Sequence, residues 1–164
     1  MQISKAEASD VQSIFDVVNE AYQVESGNEH LAFKNVTRFR SLDEAAAKLE
    51  ATWVLKDETE QVVGVLVAVV EKEEVDIGPI AVRKSIKGKG MGKMLLTFAE
   101  SLAPTSVVWV VSCRADLFPW YIRNGYVEVK RIPVEDHIPR ERLTRKNLEM
   151  VCMKKAGKGK DQKK

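Results

Sequence analysis

Gly88, Gly90 and Gly92 stand at every second position of the segment Lys87-Gly88-Lys89-Gly90-Met91-Gly92-Lys93. Glycine lets backbone N–H groups approach a ligand closely, and Lys87, Lys89 and Lys93 add positive charge. Downstream, Met91, Leu95, Phe98 and Leu102 recur at helical spacing, so the glycines fall where a helix begins. The first-turn N–H groups of a helix lack internal partners, and its dipole adds positive potential there. The chemistry of such a place is anion binding, a pyrophosphate above all. The plainer reading is a glycine-rich turn that starts an ordinary helix.

Spacing separates the loops that do this chemistry. A Walker loop needs G-x-x-x-x-G-K-S/T, but Lys87 stands at its first glycine and Met94 at its hydroxyl. The dinucleotide fingerprint G-x-G-x-x-G needs a glycine where Lys93 stands. Lys87 to Gly92 instead resembles the cofactor loop of the GNAT superfamily of N-acetyltransferases, whose pattern is Q/R-x-x-G-x-G/A after an apolar strand ending in a phrase like A-V. Lys87 replaces the usual glutamine or arginine, and Ala81-Val82 supplies the strand ending. The family uses this loop mainly through backbone N–H groups.

A second resemblance lies in Leu117-Phe118-Pro119-Trp120-Tyr121-Ile122-Arg123-Asn124-Gly125-Tyr126. Many members carry a phrase like A-x-x-L-Y-x-x-x-G-F/Y after their fifth strand, and its tyrosine lies beside the cofactor sulfur. Tyr121 inherits from that resemblance the role of acid to the departing thiolate; the bland alternative is a core aromatic. Seven residues earlier the family often has an asparagine, where this chain has Arg114, either reaching a phosphate or solvated. Pro119 fits a helix only in its first turn.

The resemblance implies direct acetyl transfer from acetyl-CoA to a primary amine of a small molecule or peptide. Alkyl amines hold their proton to a pKa of about 10, so attack needs a base or a water relay. Some members place a glutamate on the central strand, five residues before the A-V phrase; here that position is Asp76, with Glu74 on the same face by alternation. The run Glu71, Glu73, Glu74, Asp76 also reads as a solvated hairpin end. The thioester oxygen gains charge on attack, and backbone N–H groups around Ile80, Ala81 and Val82 are expected to stabilise it and to pair with pantetheine. The cofactor-binding set is therefore Ile80, Ala81, Val82, Lys87, Gly88, Lys89, Gly90, Met91, Gly92 and Lys93. A non-catalytic acyl-CoA-binding regulatory module is the alternative function.

The elements that must position these residues follow from periodicity. Ile3 starts a short strand, and Ser9 or Asp10 caps a helix bearing Val11, Ile14, Phe15, Val18 and Tyr22. Ser41 caps a second helix through Leu42, Ala46 and Leu49. Thr52 to Lys56, Val62 to Val70 and Val75 to Val82 are strands joined by charged turns, an antiparallel meander. Gly78-Pro79 interrupts the third, since proline has no N–H for the ladder. Val107 to Val111 is an apolar run suited to a strand covered on both faces and parallel to its predecessor. A short helix over Asp116 to Arg123 and strands over Tyr126 to Ile132 and Leu148 to Lys154 close the chain. This order resembles the GNAT fold: an α/β (α+β) chain with a mixed, mostly antiparallel central sheet, a splayed parallel strand pair and flanking helices.

Composition sets the remaining bounds. With 164 residues, 45% hydrophobic and 30% charged, the chain reads as one domain over residues 1–154. Residues 155–164 carry five lysines and one aspartate, a basic tail expected to be disordered, against a net charge of +2 for the whole. The tail alone speaks for nucleic acid, which is disfavoured. No apolar run approaches the ~20 residues that span a membrane, and the amino terminus lacks a charged-then-apolar signal segment, so export is not expected. Cys113 and Cys152 suit a reducing compartment, so the expected location is cytoplasmic, with the nucleus left open. His30 and His137 stand far apart in sequence without a local Cys/His/carboxylate cluster, so no metal is expected. Acceptor choice is expected from the segments Tyr22 to Arg40, with Glu25, Glu29, Phe33 and Arg38, and Pro133 to Asn147. Monomer and homodimer both stay open.

Overall fold

The computed structural model of the protein describes residues 1–23, 37–136, 138–143 and 145–157. Its strands are β1 (Gln2–Lys5), β2 (Thr52–Lys56), β3 (Val62–Glu71), β4 (Glu74–Val82), β5 (Thr105–Val111), β6 (Val127–Pro133) and β7 (Glu149–Ala156). Its helices are α1 (Val11–Gln23), α2 (Leu42–Ala46), α3 (Met91–Glu100) and α4 (Phe118–Arg123). The strands form one sheet in the order β1-β2-β3-β4-β5-β7-β6. β4 and β5 run parallel and every other neighbouring pair antiparallel. The expected mixed, mostly antiparallel sheet with one parallel pair is therefore present.

Alternation along the strands divides the core in two. On one face Ile14, Val17 and Val18 of α1, Ala45 of α2 and Phe39 pack on Val54, Val65 and Ala81. On the other, Leu95, Leu96 and Ala99 of α3 pack on Leu55, Leu66, Val75, Ile77 and Val108. β3 is buried from Val62 to Ala68 because helices cover both of its faces. Asn19 fixes the chain that returns to α2: its side-chain amide donates to the Phe39 carbonyl and accepts the Phe39 N–H, both at 3.0 Å.

Several element ends differ from expectation. α1 is preceded by a 3₁₀ turn over Ala8–Asp10, with Glu7 rather than Ser9 or Asp10 at the cap. Asp10 is drawn inward because one carboxylate oxygen accepts the Glu7 N–H at 3.0 Å and the other pairs with Lys56 at 3.0 Å. Ser41 does cap α2, accepting the Glu44 N–H, but α2 ends at Ala46 and points Ala45 rather than Leu42 at the core. The helix read from Asp116 begins at Phe118, which puts Pro119 in its first turn, where no intrahelical N–H is needed. β7 runs on to Ala156, two residues into the segment read as tail. The start of β5 offers ladder partners there, Ser106 to Lys155 and Thr105 to Ala156. Glu25, Glu29, Phe33, His30, His137 and residues 158–164 of that tail lie outside the described residues.

Candidate functional site

The site begins where two parallel strands part. β4 pairs with β5 from Glu74 opposite Thr105 to Ile77 opposite Val108, and no further. Beyond that level β4 stays with β3 as far as Val82 opposite Gly64, while β5 stays with β7 as far as Val111 opposite Met150. The cause is local. Gly78 and Pro79 together face one residue of β3, Val67, between the pairs Ile77–Ala68 and Ile80–Leu66. That two-against-one bulge turns the strand, and proline withholds a ladder donor. Ile80, Ala81 and Val82 are left with a strand on one side and a gap on the other.

The glycine segment follows at the head of β4. The Arg83 N–H donates to the Val63 carbonyl at 2.9 Å, and a 3₁₀ turn over Lys84–Ile86 leads to Lys87. Gly88 and Gly90 both take φ +82, a left-handed backbone that L side chains rarely adopt. Gly90 sits at the N-cap of α3 with no side chain to close it, so the first N–H groups of the helix face outward. A Cβ built at Gly88, Gly90 or Gly92 meets nothing within 4 Å, so the space over the segment is open to a ligand. Lys87, Lys89 and Lys93 are exposed around it. Met91 turns in and packs with Ile86 on the α3-side core. The segment fits an anion.

Tyr121 lies on the same face of the sheet as this loop. Its N–H donates to the Leu117 carbonyl at 3.0 Å, and its ring packs edge-on against Trp120 at 4.9 Å and Tyr126 at 5.5 Å. Burial pushes the Tyr121 hydroxyl up to about 12, the nearby Tyr22 phenol adds to the rise, and Arg114 opposes it. The phenol therefore keeps its proton at neutral pH. The Arg114 guanidinium holds the Asp116 carboxylate through two bonds of 2.9 Å. Tyr22, read from the sequence as a helix-face residue and as the start of the acceptor segment, lies near enough for its phenol to act on Tyr121.

Asp76 occupies the opposite face. Val75 and Ile77 turn into the α3-side core, so Asp76 between them points the other way, beside Val69 of β3 and Val107 of β5. Its side chain is exposed on that face, yet partial desolvation by its neighbours, then the charges of Glu71 and Glu74, hold its carboxyl above the usual carboxylate range. Glu74 on the same face is ion-paired with Lys154. Asp76 and Tyr121 are thus on two sides of the sheet, flanking the parted strands rather than touching. Among the described residues no group of three His, Cys, Asp or Glu side chains is placed to hold a metal ion, and no helix is long and apolar enough to cross a membrane.

Residues 48–128 match the family model described as an acetyltransferase (GNAT) domain. The fold is similar to that of ribosomal-protein-S18-alanine N-acetyltransferase from Escherichia coli, at 16% identity and TM-score 0.70, covering 98% of this chain and 97% of that one. It is also similar to an aminoglycoside 6'-N-acetyltransferase complexed with coenzyme A, at 13% identity and TM-score 0.69, covering 95% and 97%. A third similar structure is the PaiA N-acetyltransferase of Thermoplasma acidophilum in complex with coenzyme A, at 13% identity and TM-score 0.70, covering 94% and 98%. No curated protein matches the chain by sequence. At these identities the structural likenesses speak for the fold.

Proposed function

This chain belongs to the GNAT superfamily, and from that premise we propose that it is an N-acetyltransferase moving the acetyl group of acetyl-CoA directly to a primary amine of a small molecule or peptide. The observation that carries the reading is the parting of β4 and β5 above Ile77 and Val108, with the open glycine segment at its head. A thiol-bearing arm laid in that gap finds an unpaired strand edge at Ile80, Ala81 and Val82. Its phosphates meet the backbone from Lys87 to Lys93.

Acetyl-CoA supplies an acyl group activated as a thioester. The chain's residues do the rest. Asp76 takes a proton from the acceptor amine, directly or through water. The raised carboxyl makes it a better base near neutral pH than an ordinary aspartate. The amine nitrogen then bonds to the acyl carbon as the carbon–sulfur bond breaks. Backbone N–H groups near the bulge hold the charge that builds on the carbonyl oxygen. Tyr121, protonated at neutral pH, gives its proton to the leaving thiolate and regains one, through water, as the new amide nitrogen sheds its second proton. Two faces of the sheet serve two half-tasks: acceptor deprotonation on the Asp76 side, thiolate protonation on the Tyr121 side. The free thiols of Cys113 and Cys152 suit a cytoplasmic setting.

The test is thiol release from acetyl-CoA against polyamines, amino acids, aminosugars, arylalkylamines and short peptides, with mass spectrometry on the products. An acetylated amine with stoichiometric thiol establishes the reaction and names the acceptor class. Tight acetyl-CoA binding with no turnover across the panel favours an acyl-CoA-binding regulatory module. Absence of binding overturns the reading of the glycine segment.

A further inference from the structure

Glu20 lies on the last turn of α1, 63 residues from Arg83 in sequence, and both of its carboxylate oxygens are engaged at the entrance of the glycine segment. Oε2 accepts Nη1 of Arg83 at 3.0 Å and Oε1 accepts the backbone N–H of Lys84 at 3.0 Å. Arg83 is itself anchored. Its N–H donates to Val63 and its Nε donates to the Val62 carbonyl at 3.1 Å, so the guanidinium is fixed on the first turn-out of β3. The pair is about two-thirds buried, with side chains 32% and 35% exposed. A guanidinium whose Nε is already held by a backbone carbonyl presents Nη1 to a carboxylate in one orientation, unlike a free lysine.

The electrostatics of the position sharpen the point. A carboxylate at the entrance of the segment that carries Lys87, Lys89 and Lys93 lowers the positive potential that an anion would feel there. Its presence is therefore unfavourable for phosphate attraction as such, and its contribution is geometric. Two residues beyond Glu20 along α1, the Tyr22 phenol comes close enough to Tyr121 to raise its pKa. Tyr22 packs with the α1-side core and Tyr121 with the α3-side core. One carboxylate therefore sets both the loop entrance and the end of the helix that bears Tyr22.

We propose that Glu20 is a positioning residue that ties the end of α1 to the entrance of the acetyl-CoA loop, making occupancy of the loop felt at Tyr22. This rests on the reading of Lys87 to Gly92 as the acetyl-CoA segment. Amide hydrogen exchange on the full chain, with and without acetyl-CoA, tests it. In the ligand-free protein Glu20→Ala speeds exchange at the Lys84 amide while Leu95 to Ala99 stay protected. Its dissociation constant for acetyl-CoA rises about five- to tenfold. In wild type, acetyl-CoA slows exchange from Glu20 to Gln23; in Glu20→Ala that protection is lost, which a merely structural residue would not produce. Glu20→Gln, which still accepts from Lys84, restores part of it. Unchanged exchange at Lys84, or tighter acetyl-CoA binding by Glu20→Ala, overturns the proposal, the latter by showing Glu20 to be only a repelling charge. Wild type that fails to bind acetyl-CoA overturns the loop reading and the coupling with it, an outcome distinct from a wild type that binds and a variant that does not differ.

Discussion

Ile77 and Val108 are the last residues at which β4 and β5 lie side by side. Everything proposed for this chain is arranged around that pair: Asp76 just before it on one face, the open edge of Ile80 to Val82 after it, and Tyr121 on the other face. A parallel pair that parts in mid-sheet leaves backbone donors and acceptors without a strand, and such groups need a partner. A ligand with amide groups of its own is the natural one.

The three glycines of the loop separate backbone strain from ligand contact. Gly88 and Gly90 need their left-handed φ, so any side chain there strains the backbone before a ligand arrives. Gly92 is an ordinary helical residue with open space where a Cβ would go. Gly92→Ala should therefore stabilise the free protein by about 0.5–1 kcal/mol, since glycine is a poor helix former. The same change should weaken acetyl-CoA binding several-fold. Thermal melting and titration calorimetry moving in opposite directions would identify the added methyl as obstructing the ligand; affinity that follows stability would remove Gly92 from the site.

Tyr121→Phe keeps the ring packing against Trp120 and Tyr126 and removes the proton. Turnover should fall by roughly a hundred- to ten-thousandfold with little change in acetyl-CoA affinity, the range for general acid catalysis. The alkaline behaviour has a definite sign. The folded hydroxyl sits at about 12 against about 10 in an unfolded chain. Its stabilising share is complete below pH 10 and is lost as pH rises through 12. The variant should therefore lose less stability than wild type over that alkaline window, read by denaturant melts at stepped pH.

Much of this was legible in the sequence because it is local. Gly88, Gly90 and Gly92 announce a helix start, and Gly78-Pro79 an interrupted strand, from a few adjacent residues. What was hidden is long-range. Nothing near Glu20 marks it as a partner of Arg83, and the insertion of β7 between β5 and β6 depends on pairings across the chain. Lys155 opens a lysine-rich stretch that reads as tail, whereas its ladder partner on β5 and its ion pair with Glu100 draw it into β7. Tyr22 was visible as an apolar-face residue, but its nearness to Tyr121 is long-range, between α1 and α4.

Lys155 gives a stability prediction. Its ammonium pairs with Glu100 at 2.8 Å, both side chains largely buried, and its stem covers Gly125. Lys155→Ala leaves the Glu100 carboxylate without that partner and should destabilise the fold by roughly 1–3 kcal/mol. Lys155→Ala together with Glu100→Gln should recover part of the loss, because no buried charge is then left alone. An additive double variant in urea melts would mean that the pair is not coupled.

Asp76→Asn separates the base from its neighbours. The folded carboxyl is held above the ordinary range by partial desolvation and by Glu71 and Glu74, so the folded state binds more protons than the unfolded one between the ordinary and the raised value. Stability therefore falls as pH rises through that window and stays lower above it. Asn has no such charge. The variant should melt higher than wild type at neutral pH, and the difference should vanish below the ordinary carboxylate range. Activity should move the other way. Wild-type kcat/KM should show an acidic limb lying above the usual aspartate value, and Asp76→Asn should lose both the limb and most of the rate. A variant that melts higher but keeps the wild-type pH–rate profile would leave Asp76 as a repelled surface carboxylate, with deprotonation passing to water.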